Sequence, residues 1–327
     1  MTLSLPQNSS PGPCPGNFFP EKQERVDVIA HRGGAGEWPS ETLFAFRKAK
    51  ELGVDVLEMD VRSTSDDKLV LIHNPTLNET TNGNGFVRCF SLQELKKFDA
   101  GFYWTSDGGD TYPFRGLGIT IPTLEETLSE FRCMRMNIEI KGWHPLAAKK
   151  LANRFCGLLK EHGMINRVLV ASFHQPVISH IKRECPEIAV SASTRDNIRF
   201  VVSSRWGSRR FRPRADAVQT WATVFDGAII DEDLVQMAKD LKIKLHGWTV
   251  NEVQDMKRLI DLGIDGIITD FPTRLMNLLP SCSTSVPNGL IVMRNPDLTN
   301  PNHSQEASIP PPLAETQADS PSLHPRS

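Results

Sequence analysis

The sequence predicts an α/β protein built as a (β/α)8 TIM-type barrel, with a small subdomain inserted after the second strand. Three observations predict it. Eight short apolar runs recur along the chain, most of them separated by amphipathic helical patterns. Charged residues gather at the C-terminal ends of these runs, where parallel barrels carry their active sites. One connection, residues 62 to about 122, is far too long for an ordinary strand-to-helix loop. An open doubly wound sheet satisfies the same periodicity, which does not separate the two architectures.

The elements follow in order. VDVIAH (26–31) reads as a buried strand and ETLFAFRKAKELG (41–53) as a helix, with Leu43, Phe46, Ala49 and Leu52 on one face. Gly53 suits the helix stop. VDVLEMDV (54–61) is the second strand. The inserted stretch holds a strand KLVLIHN (68–74), a turn-rich run NETTNGNG (78–85) and a helix SLQELKKF (91–98). Six more strands follow: MNIEIK (136–141), VLVAS (168–172), IAVSAS (188–193), DAVQT (216–220), KLHGWTV (244–250) and DGIITD (265–270). LAAKKLANRFCGLLKEHG (146–163) and EVQDMKRLIDLG (252–263) are helices between them. Residues 1–22 form a Pro-, Ser- and Gly-rich flexible arm, 23–280 the barrel domain, and 281–327 a tail with the composition of a disordered segment.

A net charge of −2 provides no global field for nucleic acid or an anionic membrane. No run of roughly 18 apolar residues is present to span a bilayer, and the N-terminus lacks the pattern of a secretory signal. The six cysteines are scattered, without a C-x-x-C pair. Most are expected to be reduced, as in a cytoplasmic protein.

The strand ends select the chemistry. His31 ends the first strand, Glu58 and Asp60 the second, and Glu139 and Lys141 the third. Any one of these reads equally well as a solvated rim residue; their convergence is harder to explain structurally. Glu58 and Asp60 are two apart on a strand and point to one side. Close carboxylates repel unless one is protonated or a cation lies between them. With Glu139 as a third oxygen donor, the set favours a hard divalent cation, Mg²⁺ or Ca²⁺. If Ser65-Asp66-Asp67 closes a hairpin, paired positions sum to 132 or 133, and His73 lies opposite Met59 or Asp60. That places a second histidine across the mouth from His31, as an acid/base candidate. Arg32 offers a planar fork for phosphate, and Gly33-Gly34 let backbone N–H groups approach an anion.

Together these residues resemble the glycerophosphodiester phosphodiesterase family. The matching segments are IAHRGGAGEWPSETLFAF, LEMD, LVLIHNPTLNETTNGNG, DAG (99–101), IPTLEE (121–126), NIEIK, WTVN and GIITD, from Val26 to about Leu279. The resemblance implies a barrel with an inserted subdomain. It implies a divalent metal on Glu58, Asp60 and Glu139, and His31 and His73 as the acid/base pair. It further implies phosphate held by Arg32 with help from Lys141, and Trp248 lining the pocket. The implied substrate is a small glycerophosphodiester.

Two departures stand out. The family's P-E-N-T is Pro39-Ser40-Glu41-Thr42 here, which puts the contact of the usual glutamate in doubt and frees Glu41 to open the helix. Asn74 replaces the aspartate that usually follows the second histidine, removing a charge that would raise its pKa. Three rival functions share the site logic. They are a lysophospholipase D, with an apolar channel from Phe102-Tyr103-Trp104, a phosphoinositide phospholipase C, and a non-catalytic phosphate-binding module.

Overall fold

The computed structural model describes residues 14, 16–141, 145–205, 211–224 and 227–280. Most of the expected N-terminal arm and the whole tail lie outside these residues.

The strands are β1 (Asp27–Ala30), β2 (Val56–Ser63), β3 (Leu69–Leu71), β4 (Arg135–Ile140), β5 (Val168–Ala171), β6 (Ala189–Val190), β7 (Ala217–Trp221), β8 (Thr223–Val224), β9 (Gly227–Ala228), β10 (Lys244–Trp248) and β11 (Gly266–Thr269). The helices are α1 (Leu43–Leu52), α2 (Leu92–Leu95), α3 (Leu124–Glu130), α4 (Pro145–Glu161), α5 (Gln175–Glu184), α6 (Thr194–Arg205), α7 (Glu232–Asp240), α8 (Val253–Leu262) and α9 (Pro272–Leu278). Eight strands run parallel in the order β6-β5-β4-β2-β1-β11-β10-β7. A parallel bridge between Ser191 and Ala217 joins the two ends. It is flanked by Asp216 N–H donating to Val190 O (2.9 Å) and Ala192 N–H to Ala217 O (2.8 Å). The sheet therefore closes into a barrel and is not an open doubly wound sheet.

The strands are buried on both faces, as parallel strands covered by helices must be. Along β2, Leu57, Met59 and Val61 pack outward in the main core with Phe46 and Phe131, while Glu58 and Asp60 take the opposite, inward side. Helix α1 starts where Thr42 Oγ accepts the Ala45 N–H and stops at Gly53, whose φ of 86° is left-handed. The strand expected over 188–193 is Ala189–Val190; Ser191 N–H still donates to Val170 O of β5 (2.8 Å) while the residue bridges to Ala217 on its other side.

The insertion behaves as its length suggested. Val61, Arg62 and Ser63 pair with Leu71, Val70 and Leu69, so partner numbers sum to 132, one of the two expected registers. Val70, Ile72, Leu77, Val87, Leu95 and Ile121 give the insertion its own small core. The helix expected over 91–98 is only α2, held by a capping box between Ser91 and Glu94.

One expectation about the N-terminal segment needs correction. The described end of the arm is not loose. Phe18 is buried among Ile29, Val56, Leu169, Ala217 and Ile268, closing the barrel floor. Its N–H donates to Asn166 O (2.6 Å), and its carbonyl accepts from Arg135 (3.1 Å). Cys14 is joined to Cys133 in a disulfide across 119 residues, whereas Cys89, Cys156 and Cys185 are free. Docking of Phe18 beside Arg135 is what carries Cys14 to the turn before β4. Among the described residues, no helix is long and apolar enough to cross a membrane.

Truncating a fully buried Phe costs roughly 3–5 kcal/mol. Phe18→Ala is expected to lower the unfolding free energy by roughly 3–5 kcal/mol, seen as a lower urea midpoint at unchanged slope, with catalytic turnover largely retained because the floor lies opposite the mouth. Equilibrium denaturation of both proteins checks this.

Candidate active site

The pleat brings three carboxylates to the mouth. Parallel pairing sets Glu58 beside Asn137 and Asp60 beside Glu139. One oxygen from each of Glu58, Asp60 and Glu139 lies within 4.8 Å of the others. Lys141 Nζ sits 2.8 Å from Glu139 and 3.2 Å from Asp60, and Arg32 Nε 3.3 Å from Asp60. These three oxygens, both of Asp60 and Oε1 of Glu139, are buried and meet the cations as ion pairs. Burial raises Glu139, helped by the Asp60 charge, and pushes Glu58 up to about 7 for the same two reasons. Burial opposes ionisation of Asp60 too, but Lys141 and Arg32 outweigh it and hold that carboxyl below its usual range. Three converging, mostly buried carboxylates that offer only oxygen donors fit a hard divalent cation.

Glu41 belongs to this cluster, contrary to its expected place at the helix start. Thr42 caps α1, and the left-handed backbone of Glu41 (φ 59°) turns its side chain inward. Its Oε1 accepts the Asp60 N–H at 2.9 Å. Burial, then the charges of Asp60 and Glu58, raise its pKa well above the ordinary value. The contact placed in doubt by Ser40 is thus restored from the next residue.

The two histidines have opposite surroundings. His31 Nδ1 lies 2.6 Å from Asp270 Oδ1, and Nε2 lies 4.0 Å from Glu58. Burial disfavours its charged form, but Glu58 and Asp270 prevail and raise its pKa. His73 Nδ1 donates to the Asn74 carboxamide oxygen at 2.5 Å. Burial, then the neighbouring Arg32 cation, lower His73 to about 4. Arg62 holds the His73 carbonyl with two hydrogen bonds, 2.9 and 2.6 Å, fixing the segment just beyond β3.

Arg32 lies in a left-handed turn (φ 50°), and its N–H donates to Glu58 at 2.8 Å. The following glycines do not cradle an anion. Gly34 and Ala35 N–H donate back to the His31 carbonyl, and a Cβ on Gly33 would meet Ala45 at 2.8 Å. Their task is the tight turn against α1. Trp248 lines the cavity as expected, with ring centroids 5.2 Å from Trp221 and 6.2 Å from Phe173. The cavity measures about 420 Å³ and also contacts His31, Arg32, His73 and Lys141.

Three further residues matter to the site. Asp270, in GIITD, holds His31; Asn251, in WTVN, donates to Asp270 at 2.8 Å and accepts its N–H at 3.0 Å; Arg62 anchors His73. Their strand-end positions were the available signal. His246, a fallback acid/base candidate, is instead a buried barrel residue beside Gln219 (3.2 Å), lowered to about 4 by burial. Phe102, Tyr103 and Trp104 do not line the cavity; Arg115 stacks on Phe102 at 4.1 Å, and Trp104 donates to Ala35 O.

Residues 31–274 match the model of the glycerophosphoryl diester phosphodiesterase family. The chain belongs to that family. It is 35% identical to a glycerophosphodiester phosphodiesterase of Caldanaerobacter subterraneus, over 77% of this chain and 97% of that protein. It is 26% identical to a human lysophospholipase D, over 78% and 86%. A solved phosphodiesterase of Oleispira antarctica, in complex with the product sn-glycerol-3-phosphate, matches at a TM-score of 0.64 and 26% identity, over 77% and 96%.

In metal-free protein, NMR titration is expected to place His73 near 4 and His31 above 6.5. Asp270→Asn removes a contact that favours the imidazolium, so the His31 midpoint should move down while His73 stays put.

Proposed function

We propose that this protein hydrolyses glycerophosphodiesters to glycerol 3-phosphate and the head-group alcohol, with His31 as general acid and His73 as general base. The observation that carries the reading is the split between the two histidines beside one carboxylate cluster. Both rings carry hydrogen at Nδ1, because each faces an oxygen acceptor there. That leaves Nε2 as the working atom in both. The Asp270 carboxylate stabilises a cationic ring and the Asn74 amide does not, so His31 holds a proton to give and His73 a lone pair to receive one. Paired groups driven apart in this way divide acid and base roles.

Glu58, Asp60 and Glu139 would hold a Mg²⁺ or Ca²⁺ ion. When bound, the ion neutralises charge on the phosphoryl oxygens. Arg32 and Lys141 orient the phosphate from the same side and limit repulsion among the carboxylates. His73 removes a proton from the attacking water as its oxygen bonds to phosphorus, and His31 protonates the head-group alkoxide as its bond to phosphorus breaks.

Chelation is expected to abolish turnover, with Mg²⁺ or Ca²⁺ restoring it. His31→Ala and His73→Ala should each lose roughly 10² to 10⁴-fold in kcat. A diester with a very good leaving group should rescue His31→Ala and not His73→Ala; the reverse pattern would exchange the roles. The acid limb of kcat/KM should fall with a midpoint near 4, where His73 gains its proton, and the alkaline limb above 6.5, where His31 loses its own.

A further inference from the structure

Among the neutral side chains that line the cavity, two carry a buried oxygen without a hydrogen-bond partner among the described residues: Asn137 Oδ1 and Asn197 Oδ1. Asn197 belongs to α6, and its amide nitrogen is tied to the Gln219 carbonyl. Asn137 stands on β4 in the half of the barrel that holds the carboxylates. It lies two residues before Glu139, so the pleat turns both side chains to the interior. Its partners in register are Glu58 on β2 and Leu169 on β5. Asn137 is only 2% exposed. A buried carboxamide left unpaired is costly, and an apolar residue of the same shape carries no such cost. Leu169, buried beside it, shows that an apolar side chain fits this level of the barrel. Asn137 is thus set for a partner that the described residues do not supply.

The inventory of donors and acceptors identifies that partner. An ionised phosphodiester only accepts hydrogen bonds, and Arg32 and Lys141 already line the cavity as cationic donors for it. A buried carbonyl oxygen needs a donor instead. The glycerol half of the substrate carries two free hydroxyls, each able to donate to Oδ1 and to accept from Nδ2. A hydroxyl therefore satisfies the carboxamide whichever way its two ends point. Resting on the phosphodiesterase reading above, we propose that Asn137 hydrogen-bonds one free hydroxyl of the glycerol moiety and selects diesters that carry it. Asn137 sits one inward position below Glu139, so the glycerol reaches into the interior between β2 and β4 while the phosphate stays at Arg32 and Lys141. The residue moves no proton. It holds the glycerol end of the substrate while His31 and His73 act at phosphorus. A site that hydrogen-bonds a substrate hydroxyl rejects the analogue lacking it, because its own buried group is then left unpaired.

The test sets Asn137→Leu and Asn137→Ala beside the parent, with Mg²⁺, on glycerophosphocholine and its two analogues that each lack one glycerol hydroxyl. The parent should cleave one analogue with kcat/KM lowered roughly 5- to 150-fold, the range for leaving one buried polar group unpaired. In both variants, kcat/KM on glycerophosphocholine should fall by a similar factor, while that analogue changes little and the discrimination vanishes. The loss should lie mainly in KM, since the contact is made before and during the reaction alike. Asn137→Leu should keep or raise the urea midpoint, because it removes an unpaired buried amide. Equal losses on all three diesters, or a lowered midpoint with discrimination intact, assign Asn137 to the fold or to a bound water and overturn the proposal. Weaker Mg²⁺ binding by calorimetry, again with discrimination intact, assigns it to the metal and overturns it too. If no diester is cleaved at all, the phosphodiesterase reading fails separately. Calorimetry with glycerol 3-phosphate and the phosphates of 1,2- and 1,3-propanediol then decides the contact. A preference for glycerol 3-phosphate that Asn137→Leu abolishes supports it, and the absence of any preference overturns it.

Discussion

The structure depends on holding four carboxyl groups in one buried corner. Glu41, Glu58, Asp60 and Glu139 share the barrel mouth with Arg32, Lys141 and the His31 ring among their cationic partners. Two unit charges 4.8 Å apart interact by roughly 3.5 kcal/mol at an effective dielectric of about 20. No folded protein keeps several such repulsions uncompensated. The compensation is visible residue by residue. Asp60 stays ionised because both cations touch it, while Glu41 and Glu58 are raised toward the protonated form. A divalent cation held by Glu58, Asp60 and Glu139 would complete the same compensation.

The surrounding elements can be understood as supports for that corner. The parity of β2 aims Glu58 and Asp60 inward, and its pairing with β4 sets Glu139 at the height of Asp60. The 3-10 turn after β1 puts the Arg32 N–H on Glu58 and the His31 ring on Asp270. The β2–β3 hairpin delivers His73 to the opposite side, and Arg62 ties its carbonyl down. Each histidine is therefore positioned by an element different from those bearing the carboxylates. Preorganisation of this kind places donors and acceptors before the substrate arrives.

Much of this was legible in the sequence, for identifiable reasons. Strand parity and turn chemistry are local, so the eight strands, the inward carboxylates and the hairpin register could be counted off. What failed to show depended on contacts between distant residues or on single dihedral angles. The role of Glu41 follows from one left-handed φ before Thr42, which reverses the direction that helix logic assigns. Asp270 and Asn251 act through a hydrogen-bonded pair spanning β10 and β11, which no linear pattern reveals. Phe18 looked like part of a polar arm because its partners, Ile29, Leu169 and Ile268, lie far along the chain. The aromatic run at Phe102 suggested an apolar channel, yet Arg115 stacks on Phe102 and Trp104 is engaged by Phe114 and the Ala35 carbonyl.

The cavity has two halves that answer to different constraints. Its polar half is built from β1, β2, β4 and β11, and its geometry is dictated by the reacting phosphate. A displaced histidine or carboxylate there loses its partner charge as well as its reach. Its apolar half is built from the ends of β5 and β7, from α6 and from the short β8–β9 hairpin, where no charge compensation is at stake. Hydrophobic contacts are non-directional, so these loops can change side chains without disturbing the acid, the base or the metal carboxylates. A barrel closed by a narrow seam at β6 and β7 keeps the two halves on one rim while letting them vary separately. Lys141 is the point where they meet, with its ammonium on Asp60 and Glu139 and its charge over the Phe173 ring. That lysine thus divides a charged half of the cavity from an apolar one.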